Sequence, residues 1–171
     1  QIENLVNEFS DFARMPKPIL KDNNLVDLVG DSINLLKTLD DKIKISFNPF
    51  NNNIFFNSDS EQLSRVFFNL IKNSIESIQE KNQEKTDLKG KITIELKEDD
   101  TCIDFMIKDN GLGFGIFADN VKDILNPYFT TKEKGTGLGL AIVNKIVNDH
   151  HGSLNFNILN EGAEIQIKFK K

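Results

Sequence analysis

The chain has 171 residues, 39% of them apolar and 27% charged, with a formal net charge of −5. Those values suit one domain around a single core with a short appendage, and the acidic balance excludes a broad nucleic-acid surface. A single cysteine, Cys102, excludes a disulfide framework or a cysteine metal cluster and points to a reducing compartment. No apolar run approaches the ~20 residues of a membrane span. An opening Gln1 in place of Met reads as an excised fragment, soluble in isolation.

From the start, Ile2, Leu5, Val6, Phe9 and Phe12 recur at helical spacing and give a helix over residues 1 to 14 one apolar stripe. So short a helix needs a partner. Met15-Pro16-Lys17-Pro18 ends it, because proline lacks a donor and drives the preceding residue out of the α region. The domain boundary is expected there, with residues 1–18 an appendage and 19–171 the main domain. Asn23 or Asn24 is expected to cap a second helix running to about Leu39, with Leu25, Leu28, Val29, Ile33 and Leu36 facing inward. Ile43, Ile45 and Phe47 alternate as a strand, Asn53 to Phe56 forms a short second one, and Ser58 or Asp59 caps a third helix.

That third helix, predicted to reach about Gln79, puts Leu63, Phe67, Leu70, Ser74 and Ile78 on one face. Asn69, Lys72, Asn73 and Glu76 gather on another. Mg²⁺ bound with a nucleotide takes one or two protein oxygens and the rest from phosphates and water, which two amides one turn apart could supply. Taken alone, the segment NLIKNSIESI reads better as a solvated face. Residues 81 to 90 read as a loop, Ile92, Ile94 and Leu96 as a strand, and Cys102 to Lys108 as its hairpin partner, with Cys102 in the core. The hairpin ends in Asp109-Asn110-Gly111-Leu112-Gly113. Asn-Gly is ordinarily a turn signal. A carboxylate fixed at a strand end can also accept from the exocyclic amine of adenine, with Gly111 and Gly113 leaving bare backbone against the base.

Residues 127–140, PYFTTKEKGTGLGL, lead into the apolar-periodic AIVNKIVNDHHG. Gly135, Gly137 and Gly139 permit close approach where a helix begins with unpaired amides and its positive dipole end. Thr130, Thr131, Lys132 and Lys134 add hydroxyls and cations suited to a phosphate. The spacing is neither that of the P-loop nor that of the dinucleotide fingerprint, so these glycines alone would mark only a capping loop. His150 and His151, just before Gly152, fit a helix C-cap whose partly cationic side chain suits the dipole, in preference to a phosphoryl acceptor. Strands over 153–159 and 163–169, around Asn160-Glu161-Gly162, close the sheet.

Taken together, NLIKNSIESI resembles the N box, DNGLG the first glycine box, PYFTTK the F box and GTGLGL the second glycine box of sensor histidine kinase catalytic domains. Four boxes in the right order are far more specific than any one. The opening FSDFARMPKP, the short lid KEKG and the run GTGLGLAIVNKIVNDHHGSL are similar in particular to nitrogen-regulation sensor kinases of the NtrY type. The resemblance implies an α+β fold, a two-layer α/β sandwich with a mixed β-sheet and three helices on one face, binding Mg-ATP beneath a mobile lid. It implies that Asn73 ligates Mg²⁺ with Asn69 in support, that Asp109 reads the adenine amine beside Gly111 and Gly113, and that Lys132 holds phosphate. The amides of Gly135, Thr136, Gly137, Leu138, Gly139 and Leu140 would share the phosphates, Thr130 and Thr131 would position the lid, and Lys72 would be a weaker phosphate contact. Glu76 stands where other branches often carry lysine, and its role stays open.

The segment after the first glycine box has Phe117 near the place of a common proline. Gly162-Ala163 replaces a Gly-Thr pair beside the base. No H-E-x-x-N-P-like box is present, so residues 1 to about 14 resemble the tail of the second dimerisation helix, without its partner. The implied nucleophile is a histidine on that hairpin, the implied next acceptor an aspartate of a response regulator, and the implied setting the cytoplasmic end of a homodimeric, inner-membrane-anchored parent. Related ATPases of the gyrase, chaperone and mismatch-repair type carry a glutamate where Asn69 stands, and an amide cannot act as a base. A nucleotide-sensing module without kinase activity is the other alternative.

Overall fold

The computed structural model describes residues 2–84, 87–113 and 138–171. In chain order these form α1 (Ile2–Ala13), β1 (Lys21–Asn24), α2 (Leu25–Leu36), β2 (Lys44–Pro49), β3 (Phe55–Ser58) and α3 (Ser60–Glu84). There follow β4 (Lys91–Glu98), β5 (Cys102–Asp109), α4 (Gly139–Asp149), β6 (Ser153–Ile158) and β7 (Ala163–Lys170). Five strands make one sheet in the order β2-β4-β5-β7-β6, with β2 parallel to β4 and the other pairs antiparallel. β1 and β3 form a separate antiparallel pair. This is the expected mixed sheet, with α2, α3 and α4 contributing to one core against it.

Strand alternation builds that core. Ile92, Ile94 and Leu96 of β4, Ile103, Phe105 and Ile107 of β5, and Ile165, Ile167 and Phe169 of β7 are all buried. From α3, Leu63, Phe67, Leu70, Ser74 and Ile78 are buried as their spacing predicts, joined by Val66, Ile71 and Ile75. Phe67 meets Phe105 with ring centroids 4.9 Å apart. Burying a large apolar side chain of this kind contributes about 1.5–3 kcal/mol. Because α3 crosses β5 in this way, whatever stands at the β5 terminus comes to lie beside α3.

Several local expectations shift. Asn24, not Asn23, caps α2: its Oδ1 accepts the Val26 N–H at 3.2 Å and also the Ile54 N–H at 3.0 Å. α2 stops at Leu36, where the chain tightens and the Leu39 N–H donates back to the Leu36 carbonyl at 3.0 Å. α3 continues to Glu84, through four positions read as loop, because polar helix formers such as Glu and Lys sustain a helix whose earlier turns are already packed. Cys102 is half-buried and not in the core, since alternation puts it with Asp104 and Met106, opposite Ile103 and Phe105. On α1, Phe12 packs against the core together with Met15. Ile2, Val6 and Phe9 of the predicted stripe are 79%, 56% and 47% exposed. No helix among the described residues is long and apolar enough to cross a membrane.

Candidate functional site

The site is organised by successive turns of α3. Asn69 and Asn73, one turn apart, are both half-buried. Asn73 lies beside the first turn of α4, where a Cβ built on Gly139 would be 3.9 Å from Asn73 Nδ2. The next residue, Ser74, is buried and hydrogen-bonds the Asp109 carboxylate. Three positions on, Ser77 Oγ accepts the Leu112 N–H at 2.9 Å. About one turn later, Lys81 Nζ donates to the Asn110 carbonyl at 3.0 Å. One helix therefore touches the start of α4, the β5 carboxylate and the glycine turn after it.

Asp109 completes the buried face of β5 begun by Ile103, Phe105 and Ile107, and only 6% of it is exposed. Burial is the dominant effect on its carboxyl and pushes the pKa above the ordinary value. Donation from the Gly111 N–H, the Ser74 side chain and the Ala163 backbone, then the Lys81 charge, work the other way. The Gly111 bond, to Oδ1, is 2.9 Å. Ala163 is the direct cross-strand partner of Asp109, so the alanine that replaces the expected threonine puts a methyl, not a hydroxyl, next to the carboxylate.

The glycine turn is built tightly on α3. A Cβ on Gly111 would collide with Ser77 Oγ and lie 2.7 Å from the Ser77 carbonyl carbon. Gly113 has φ +73° and Gly162, which passes close to the Asp109 carbonyl, has φ +80°. Both lie in the left-handed region that favours glycine. The Asn110 side chain is engaged by backbone at both ends: Oδ1 accepts the Lys91 N–H at 2.8 Å and Nδ2 donates to the Lys89 carbonyl at 2.9 Å. Sequence reasoning assigned no site role to Ser74, Ser77, Lys81 or Asn110. A serine on the apolar face of α3, next to Asn73, was the one signal that a polar partner lay across from it.

Lys72 is exposed, and its Nζ lies 3.9 Å from Glu76 Oε1, so the carboxylate shares the cation assigned to phosphate. Leu138 and Leu140 turn their side chains to the core, which leaves their backbone as the part suited to phosphate. The Ile142 N–H already donates to the Leu138 carbonyl at 2.9 Å, and among the described residues no side-chain bond caps the N-terminus of α4. Thr130, Thr131, Lys132, Gly135, Thr136 and Gly137, like Lys134 and Phe117, lie outside the described residues.

His150 is the C-cap of α4 and is 4% exposed. Its Nδ1 is 2.8 Å from the Ile146 carbonyl, while Nε2 accepts the Asp59 N–H at 3.0 Å. Both ring nitrogens are thus engaged by backbone groups, in keeping with the helix C-cap that the sequence suggests.

The family model described as "Histidine kinase-, DNA gyrase B-, and HSP90-like ATPase" matches residues 58–171. A candidate NtrY-like sensor histidine kinase of Rickettsia conorii is 38% identical over 169 residues, covering 98% of this chain and 27% of that protein. The nitrogen regulation protein NtrY of Azorhizobium caulinodans is 31% identical, covering 98% of this chain and 21% of that protein. The chain thus spans about a quarter of the length of such relatives. Among solved structures, the nucleotide-free catalytic domain of histidine kinase ThkA superposes with a TM-score of 0.76 at 26% identity, covering 90% of this chain and 96% of that one.

Proposed function

The chain belongs to the histidine kinase-, DNA gyrase B- and HSP90-like ATPase family, and from that premise we propose that it is the Mg-ATP-binding catalytic domain of a two-component sensor histidine kinase of the nitrogen-regulation type. The observation that carries the reading is the run of contacts along α3: Asn73 against the first turn of α4, then Ser74 on Asp109, then Ser77 on the glycine turn. The residues proposed for metal, base and phosphate would then all border one helix.

The residues fit the ligand. A buried acceptor at Asp109 beside a turn too tight for a Cβ suits the edge of a flat base. Asp109 would accept from the adenine exocyclic amine, with Gly111 and Gly113 presenting backbone to the ring. The amide oxygen of Asn73, supported by Asn69, would hold Mg²⁺, whose contribution when bound is neutralisation of phosphate charge. The N-terminal amides of α4, at Gly139 and Leu140, with Leu138 and the preceding Gly135, Thr136 and Gly137, would cradle phosphates. Lys132 and, more weakly, Lys72 would add cations, and Thr130 and Thr131 would position the covering segment.

Transfer of a γ-phosphoryl group requires in-line placement and charge neutralisation more than covalent help, which suits this set of residues. The accepting histidine would come from a dimerisation hairpin of the parent, of which residues 1–18 would be the C-terminal remnant and linker, with 19–171 the catalytic domain. The phosphoryl group would pass next to an aspartate of a cognate response regulator. The parent would be a homodimer anchored in the inner membrane with this part in the cytoplasm. The neutral amide of Asn69 favours transfer over hydrolysis, because it offers no base for water.

The test is calorimetric titration of a nonhydrolysable ATP analogue with and without Mg²⁺, on the unaltered chain, Asn73→Ala and Asp109→Ala, followed by trans-phosphorylation of a hairpin fragment from an NtrY-type kinase. The reading requires that Asp109→Ala abolish binding, that Asn73→Ala remove its Mg²⁺ dependence, and that label reach the hairpin histidine. Absence of binding by the unaltered chain would sink it.

A further inference from the structure

Lys81 stands outside every motif, about two turns beyond Asn73 on α3, yet its ammonium reaches back to the turn that follows Asp109. Its Nζ donates to the Asn110 carbonyl at 3.0 Å. The Asn110 side chain is itself fastened to the Lys89 carbonyl and the Lys91 N–H. The Asn110 N–H also donates to the Lys91 carbonyl at 3.3 Å, so the residue after Asp109 is fixed at four points, and one of them is a cation.

We propose that Lys81 is a positioning residue for Asp109, fixing the following peptide and placing positive charge beside the carboxylate, so that the site takes bases bearing an exocyclic amine over those bearing a carbonyl there. This rests on the nucleotide reading given above and assigns its base selectivity to a residue that touches no ligand. Among the described residues, β4 brings Ile92 and β7 brings Ala163 against Asp109, both apolar. α3 brings the Ser74 hydroxyl and the Lys81 charge. Burial disfavours the ionised carboxyl most strongly, and hydrogen bonds from Gly111, Ser74 and Ala163 and then the Lys81 charge oppose it. An ionised Asp109 only accepts, which suits the 6-amino group of adenine. A protonated one can donate, which suits the 6-oxo group of hypoxanthine.

The experiment titrates a nonhydrolysable ATP analogue and its inosine counterpart into the whole chain, unaltered and as Lys81→Met, Lys81→Gln and Lys81→Arg, at neutral pH and through the acid range. Lys81→Met and Lys81→Gln should weaken the adenine nucleotide roughly tenfold while leaving the inosine nucleotide unchanged or tighter. They should also move the acid-side loss of adenine binding to higher pH. Lys81→Arg should restore both properties. The two neutral variants guard against a failure of either to fold. Equal weakening of both nucleotides would make Lys81 merely structural and overturn the assignment, as would an unaltered adenine-to-inosine ratio. If the unaltered chain binds neither nucleotide, the nucleotide reading itself fails and this assignment falls with it.

Discussion

The Asp59 N–H donates to Nε2 of His150 at 3.0 Å, joining positions 91 apart in sequence. The start of α3 and the end of α4 are thereby tied at one point. The same aspartate side chain accepts the Gln62 N–H at 3.0 Å as the α3 N-cap and the Ile19 N–H at 2.9 Å from the segment before β1. Gln62 in turn donates from Nε2 to the Pro16 carbonyl at 2.9 Å. The two helices that carry Asn73 and Gly139 are thus held together where Pro16 and Ile19 meet the start of α3.

His150→Ala should lower stability by about 1–3 kcal/mol, the usual cost of leaving a buried donor without its acceptor. Chemical denaturation of the variant checks this, and nucleotide affinity of the folded fraction should be unchanged. Incubated with labelled ATP, the chain should place no label on His150, because neither ring nitrogen is open to a phosphoryl group. Labelling at His150 would contradict the capping role.

Asp59→Ala should cost about 1–2 kcal/mol as a lost N-cap. Burial works against the charge on Asp59, but donation from the Ile19, Gln62 and Glu61 backbone outweighs it and holds the carboxyl below its ordinary value. With the folded-state value lowered, the stabilisation is complete above the unfolded value near 3.9 and is lost as pH falls through the folded one. The stability gap between the unaltered chain and the variant, measured by denaturation at several pH values, should therefore be constant near neutrality and close in acid.

The elements legible in the sequence were those whose pattern is long or doubly supported. α3 is amphipathic over most of its length, and β4 and β5 alternate cleanly around an Asp-Asp turn, so the sheet and its helical layer followed. β1 was not legible, since Lys21-Asp22-Asn23-Asn24 carries no alternation and becomes a strand only by pairing with β3, more than thirty residues away. Asn73 and Asp109 were singled out through motifs. The residues that hold the turn after Asp109 were not, because Ser77 and Lys81 declare themselves only when α3 lies across it.

Gly111→Ala should reduce nucleotide affinity more than it reduces stability. The added methyl would meet both the Ser77 side chain and its backbone carbon at 2.7 Å, so the turn must move away from α3, at a cost of about 1–3 kcal/mol. Adding Ser77→Gly should not rescue binding, because the backbone clash remains and the Leu112 N–H loses its acceptor. Recovery of full affinity in the double variant would show that the side chain alone set the approach.

The last prediction concerns acid. Burial raises the Asp109 carboxyl above its ordinary value, so its proton returns at a higher pH in the folded chain than in the unfolded one. For a carboxyl shifted in this direction the sign is opposite to that at Asp59. At neutral pH the ionised group counts against the fold, and stability from this source rises as pH falls through the folded value toward the unfolded one near 3.9. Nucleotide binding runs the other way, since the protonated group cannot simply accept from an adenine amine. Calorimetric affinity for a nonhydrolysable ATP analogue should fall across the same pH interval in which this stability contribution grows, and Asp109→Asn should lack both slopes. Parallel slopes in binding and stability, or an acid loss of binding that persists in Asp109→Asn, would assign the titration to another group.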